Sequence, residues 1–182
     1  MASTFLKIGL GIGALVGFAA LAVPEAIKLK NAKTNTIFNV AFNRFQSLKN
    51  GVATLYFNSI IRNLSGFSIS IENLSIILES SADSGKTWSN FGSTPERIAK
   101  VDLPDGKTTT TAIPVEVNAA QVLQSILAPQ NKYRIVVNYE YSGLPMQYIV
   151  EQDMTKILKD IGTNIKKSFG LKGVDNQYQQ LI

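Results

Sequence analysis

The chain has 182 residues, 45% of them hydrophobic, with nine Phe, six Tyr and a net charge of +5. That is room for one ordinary domain with appendages, and enough apolar content for a packed core, which excludes a disordered chain. It contains no Cys and no His. Disulfides, thiolate chemistry and imidazole-based catalysis or metal ligation are therefore excluded. From the N-terminus, Ile8 to Val23 (IGLGIGALVGFAALAV) is free of charge and carries Gly9, Gly13 and Gly17 at every fourth position. Glycine is a poor helix former in water, whereas lipid leaves the backbone no alternative to helix and bare glycine faces let helices pack closely. Phe5 to Val23 would span about 28 Å as a helix, near the hydrocarbon thickness, and Pro24 closes it. A cleaved signal peptide ending at Ala20-Leu21-Ala22 is the competing reading. A retained single-pass transmembrane helix is the expectation, with the three glycines as a glycine zipper facing a second copy or another protein's helix.

The charge is uneven. Residues 1–33 hold four Lys against Glu25, residues 34–152 hold nine basic and nine acidic side chains, and residues 153–182 hold five Lys against three Asp. A neutral middle gives no support to a nucleic-acid partner, while basic ends fit the headgroups of a lipid bilayer. Lys28, Lys30 and Lys33 follow the span and set the C-terminal domain on the cytoplasmic side, or the equivalent face of a virion membrane. Three segments are expected: anchor and basic stalk (1–33), a β domain (34–152), and an amphipathic helix with tail (153–182).

Within the middle segment the apolar period drops to two. Strands are predicted at Ile37–Phe45, Val52–Asn63, Phe67–Glu79, Arg97–Leu103, Thr108–Val117, Lys132–Tyr141 and Met146–Gln152, separated by Gly-, Asp- and Pro-rich turns. Asn118 caps a short helix that ends before Pro129. Alternating strands of this kind predict a mainly β chain folded as a seven-stranded antiparallel β-sandwich. After it, Met154, Ile157, Leu158, Ile161, Ile165 and Phe169 form one apolar stripe of a helix whose other face carries Lys156, Lys159, Lys166 and Lys167. That stripe can pack on the sandwich, lie in a membrane surface with the lysines toward phosphates, or dock a partner. The excess lysine shared by the two ends suggests one common membrane face. The tail Gly170–Ile182 is polar and suits binding a neighbouring subunit in extended form.

Asn63-Leu-Ser-Gly-Phe-Ser-Ile-Ser-Ile-Glu-Asn-Leu-Ser-Ile-Ile-Leu-Glu79 resembles the N-P-x-x-x-x-I-P-I stretch of the group-2 late embryogenesis abundant, or water-stress and hypersensitive-response, domain. Leu103 to Val117 resembles that family's G-x-T-x-x-x-x-P-V-x-V strand. The likeness covers residues 37–152 and departs at Leu64-Ser65, where the family has Pro, and in the long stretch Ser80–Pro95. It implies a fibronectin-III/immunoglobulin-like sandwich, often membrane-anchored, without an active site.

Ser81-Ala-Asp-Ser-Gly-Lys-Thr-Trp88 matches the S-x-D-x-G-x-T-W turn of sialidase propellers, but a sialidase needs several copies and an arginine cluster, and this chain has one copy and four Arg. The expectation is a structural hairpin in which Asp83 caps the turn, Gly85 takes the strained conformation and Trp88 buries. Gly85-Lys86-Thr87 lacks the earlier glycine of a phosphate loop, since position 80 is Ser. Asp102, Asp105 and Glu96 are solvated carboxylates, and the Asn63 and Asn73 sequons are chance. No catalytic residue, cofactor or metal site is expected. The expected role is a non-catalytic module linking a membrane to other protein subunits in an envelope complex or membrane-containing virus particle. A desiccation- or cold-protective role and lipid binding are the alternatives.

Overall fold

The computed structural model describes residues 23–127 and 132–168. In chain order these form α1 (Val23–Asn35), β1 (Thr36–Lys49), β2 (Val52–Asn63), β3 (Ile69–Ser81), β4 (Ser89–Ser93), β5 (Ile98–Leu103), β6 (Thr108–Asn118), α2 (Ala119–Leu127), β7 (Lys132–Tyr141), β8 (Leu144–Glu151) and α3 (Thr155–Ser168). The expected span, apart from Val23, lies outside the described residues with Gly9, Gly13 and Gly17, as does the tail. No helix among the described residues is long and apolar enough to cross a membrane.

All strand pairs are antiparallel, and hydrogen bonding runs β1-β2-β6-β4-β3-β7-β8, with β5 beside β3. The fold is sandwich-like: β1-β2-β6 forms one layer, β3-β7-β8 with β5 the other, and β4 joins them. Phe38 of β1 stacks across the layers on Tyr139 of β7, 4.8 Å between ring centres. Strict alternation along β2 buries Ala53, Leu55, Phe57, Ser59, Ile61 and Asn63. Each fully buried Leu, Ile or Phe is worth about 1.5–3 kcal/mol relative to exposure, so Leu55, Phe57 and Ile61 anchor this layer, facing Ile69, Ile71, Leu74, Ile76 and Leu78 of β3.

Eight described strands replace the expected seven. The addition is β4, five residues (SNFGS) inside the stretch that the sequence leaves as an excursion. Its two small serines and glycine give no periodic signal, and it exists because it has neighbours on both sides: Ile77 and Leu78 of β3, Glu116 and Val117 of β6. In β3 the buried set changes parity, from Ile69 and Ile71 to Leu74, Ile76 and Leu78. A bulge at Asn73, whose φ is 53°, inserts the extra residue that flips the faces. β1 is longer than expected because two bulges, after Phe42 and after Phe45, carry the pairing on to Lys49.

The register defines two ends. Thr36 pairs with Asn63, Arg62 with Thr108 and Ile69 with Leu103, so these share one end with α1. Lys49, Val52, Asn118, Ser81 and Lys132 lie at the other. Asn118 caps α2 there, its Oδ1 accepting from the N–H groups of Ala120 (2.9 Å) and Gln121 (3.2 Å). α3 follows β8 and packs against α2 and β1. Met154, Leu158, Ile161 and Ile165 are buried in the common core, with Ile157 at its rim. The apolar stripe of this helix is thus spent on the sandwich.

Candidate functional site

The lysines singled out from sequence are attached to opposite ends. Lys28, Lys30 and Lys33 are exposed on α1. Lys156, Lys159 and Lys167 are exposed and Lys166 half-buried on α3. Helix packing explains the second group, since the stripe between them faces protein.

Asp83 organises the turn between β3 and β4. Its Oδ1 accepts from the N–H groups of Lys86 (3.0 Å) and Thr87 (2.8 Å) and from the Ser81 hydroxyl (2.7 Å), and its Oδ2 accepts from the Thr87 hydroxyl (2.7 Å). Gly85, at φ +95°, donates its N–H to the Ser81 oxygen. The backbone N–H of Thr87 above all, then the Ser81 and Thr87 hydroxyls, hold the Asp83 carboxyl well below the usual carboxylate range. A folded-state pKa lowered in this way contributes stability above about pH 4 that is lost as pH falls toward the folded value. Asp83→Asn should therefore lower the urea midpoint at neutral pH and blunt the further loss on acidification, measured at both conditions. The backbone N–H of Lys86 and both the N–H and hydroxyl of Thr87 are engaged in this turn.

Trp88 is half-buried and lies under the Arg134 guanidinium, 4.2 Å from ring centre to Cζ, while Arg134 also pairs with Glu79. This Glu79–Arg134–Trp88 stack joins β3, β7 and the hairpin, and sequence reading missed it. Long-range pairing leaves no local signal, since Glu79 and Arg134 are 55 residues apart.

At the other end Asn63 is fully buried and fully paired. Its Nδ2 donates to the carbonyls of Phe67 and Leu103, both at 2.8 Å, and its Oδ1 accepts from the Ser65 N–H (3.0 Å) and hydroxyl (2.6 Å). Its backbone carbonyl accepts from Gly106 N–H. With both amide hydrogens engaged inside the fold, Asn63 is no glycan acceptor. The available signal was the period of β2, which assigns position 63 to the buried face. Asp105 accepts from Gly66 N–H at the same end. The Ser70 hydroxyl first, then Lys100, holds the Asp102 carboxyl below its ordinary value. Among the described residues no cluster of three metal-ligating side chains exists.

A small depression opens between α1, β3, β7 and β8, lined by Ala32, Thr36, Ile71, Tyr139 and Met146 among others. Its interior of about 10 Å³ is room for one water. Burial pushes the Tyr139 hydroxyl up to about 12, with neighbouring Tyr148 adding to it. A raised folded value means that stability is intact below pH 10 and is lost as pH rises through 12. Tyr139→Phe should remove roughly 2–3 kcal/mol of that alkaline loss, read from denaturant midpoints across the range.

No family model matches the chain, and no curated protein does. Among solved structures it is similar to a protein from Archaeoglobus fulgidus at 11% identity and a TM-score of 0.41, over 63% of this chain and 90% of that one. It is similar to a FixG-related protein from Vibrio parahaemolyticus at 9% and 0.37, over 64% and 94%. The sporulation control protein Spo0M from Bacillus subtilis gives 7% and 0.41, over 64% and 48%. At these values the likenesses carry no argument about this chain, and the resemblance to the water-stress domain rests on the sequence stretches alone.

Proposed function

We propose that the chain is a non-catalytic, single-pass membrane protein whose β domain is a structural docking module, linking a membrane to a larger protein assembly. The observation that carries this reading is the junction of α1 and β1. α1 ends at Asn35 and β1 starts at Thr36, with no linker, and Ala32 is buried in the common core. An apolar span running into Val23 would then hold the sandwich at a fixed standoff, about 20 Å for the 13 residues of α1. The polar groups of the two ends support a structural role: Asp83, Asn63, Asp105 and Asp102 all spend their oxygens on turns and neighbouring strands. Lipid binding inside the sandwich is disfavoured, because Phe57, Ile61, Leu78, Ile113 and Ile135 fill the space between the layers.

Expression of the full chain and of residues 23–182 tests the reading. The full chain is expected to stay in the membrane pellet after alkaline carbonate extraction, while the shorter chain is soluble and shows the same far-ultraviolet β signal. A full chain released by carbonate, or a shorter chain that remains in the pellet, would overturn it.

A further inference from the structure

The chain contains one Asn-Gly and one Asp-Gly step, Asn50-Gly51 and Asp105-Gly106. In either, the glycine nitrogen can attack the preceding side-chain carbonyl carbon, because no Cβ shields it. The fold treats the two steps differently. Asn50 and Gly51 are the two turn residues joining β1 to β2, between the paired Lys49 and Val52. Both take the left-handed region, at φ 50° and 77°, which glycine adopts freely and asparagine only at some cost. Asn50 is exposed, and a Cβ built on Gly51 would meet nothing within 4 Å. Among the described residues neither the Asn50 side chain nor the Gly51 N–H has a hydrogen-bond partner. Asp105-Gly106, by contrast, is held at both reacting groups. Asp105 Oδ1 accepts from the Gly66 N–H at 3.0 Å, and the Gly106 N–H donates to the Asn63 carbonyl at 2.9 Å. Asn63 is the buried hub at the end of β2, so that amide cannot turn without disturbing it.

We infer that Asn50 is a site of spontaneous deamidation, left open by the fold while Asp105 is closed. The Gly51 nitrogen gives its proton to hydroxide and attacks Asn50 Cγ. A C–N bond forms, the Cγ–Nδ2 bond breaks, and ammonia departs with a proton from water, leaving a cyclic succinimide. Water then opens the ring. Opening at Cγ gives aspartate; opening at the main-chain carbonyl carbon gives isoaspartate, whose backbone runs through Cβ and Cγ. Overall one water is consumed, one ammonia is released, and the turn gains a carboxylate. The two products act differently on this end of the sandwich. The Gly51 carbonyl accepts from the N–H of Ala119, the first residue of α2, at 2.9 Å. Aspartate at position 50 keeps the backbone and adds a negative charge near the start of that helix, a favourable place for it. Isoaspartate inserts one extra main-chain atom, so the Gly51 carbonyl loses its alignment with Ala119. Because α2 packs against α3, the helix pair loosens with it.

Peptide mapping by mass spectrometry, with isoaspartate scored by enzymatic methyl labelling, tests this on the full chain in mild detergent at alkaline pH, folded or in urea. In urea both steps should react, which fixes the intrinsic rate of each. In the folded chain Asn50 should be converted while Asp105 persists. The folded-to-unfolded ratio of rates should be about tenfold or more larger at Asn50, reflecting the two hydrogen bonds that must open at Asp105-Gly106. Asn50→Gln should abolish the reaction at this turn, because the longer side chain closes a six-membered ring far more slowly. Asn50→Asp should melt with the parent, whereas chains carrying isoaspartate at position 50, separated chromatographically, should melt lower. An Asn50 amide that survives in the folded chain while urea destroys it would overturn the inference. So would equal protection of the two steps by the fold, or an isoaspartate form as stable as the parent.

Discussion

Replacing Asn63 with alanine should cost about 3–5 kcal/mol, the largest effect expected of any single polar substitution in the described chain. The side chain ties the end of β2 to the loop leading into β3 and to the end of β5 through the carbonyls of Phe67 and Leu103. Truncation removes both amide donors and the oxygen that receives Ser65, and leaves buried backbone carbonyls without partners. Thermal unfolding followed by circular dichroism should show a fall in midpoint of roughly 10 °C or more. Asn63→Asp separates the two halves of the network. It keeps the acceptor for Ser65 but replaces the donor with a buried carboxylate facing two carbonyls, so it should be no more stable than the alanine variant at neutral pH. A change of less than about 1 kcal/mol in Asn63→Ala would mean that water replaces these bonds at no cost.

The second large effect is expected at Gly92, where β4 crosses from one layer to the other. A Cβ placed there would lie 2.4 Å from Val117 Cγ1 and 3.0 Å from the Glu116 carbonyl oxygen. Val117 is buried and β-branched, so it has little freedom to turn away, and the carbonyl belongs to the ladder itself. Gly92→Ala should destabilise by about 2–3 kcal/mol and Gly92→Val by more. Val117→Ala alone should cost about 1–2 kcal/mol through the space that it leaves. Combined with Gly92→Ala it should cost less than the sum, because the added methyl occupies the vacated volume. Additive losses in a urea-denaturation cycle would show that the contact is not the reason for glycine at this position.

Local pattern carried much of the fold. Val52–Asn63 is bounded as expected because its alternation is unbroken from end to end and turn residues flank it. The helix after Asn118 is legible from one capping side chain and an apolar face. β3 is readable as a strand but not in its facing, since the bulge at Asn73 depends on what β7 offers across the ladder. β4 was invisible for a related reason: Phe91 alone among four small or polar residues makes no period, and the strand pairs only because β3 and β6 leave a gap of the right width between them. The Asp83 turn was legible because its bonds span four residues; the Asn63 hub was not, because Leu103 is 40 residues away.

Taken alone, the sequence determined the class of fold, the order of most strands, the two helices flanking β7 and β8, and the lack of thiol and imidazole chemistry. All of these follow from composition or from periods that the chain repeats locally. Tertiary structure decided where the same patterns are used. The stripe Met154–Leu158–Ile161–Ile165 suits a membrane surface or a protein core equally well by its spacing. It is buried here because the sandwich beside α2 and β1 leaves apolar surface for it to cover. Tertiary structure likewise set Arg62 and Glu116 at opposite ends of one outward face, since only the β2–β6 register puts residues 54 positions apart in sequence on the same surface. Periodicity states which face of an element is apolar; what that face meets is fixed only when the other elements arrive.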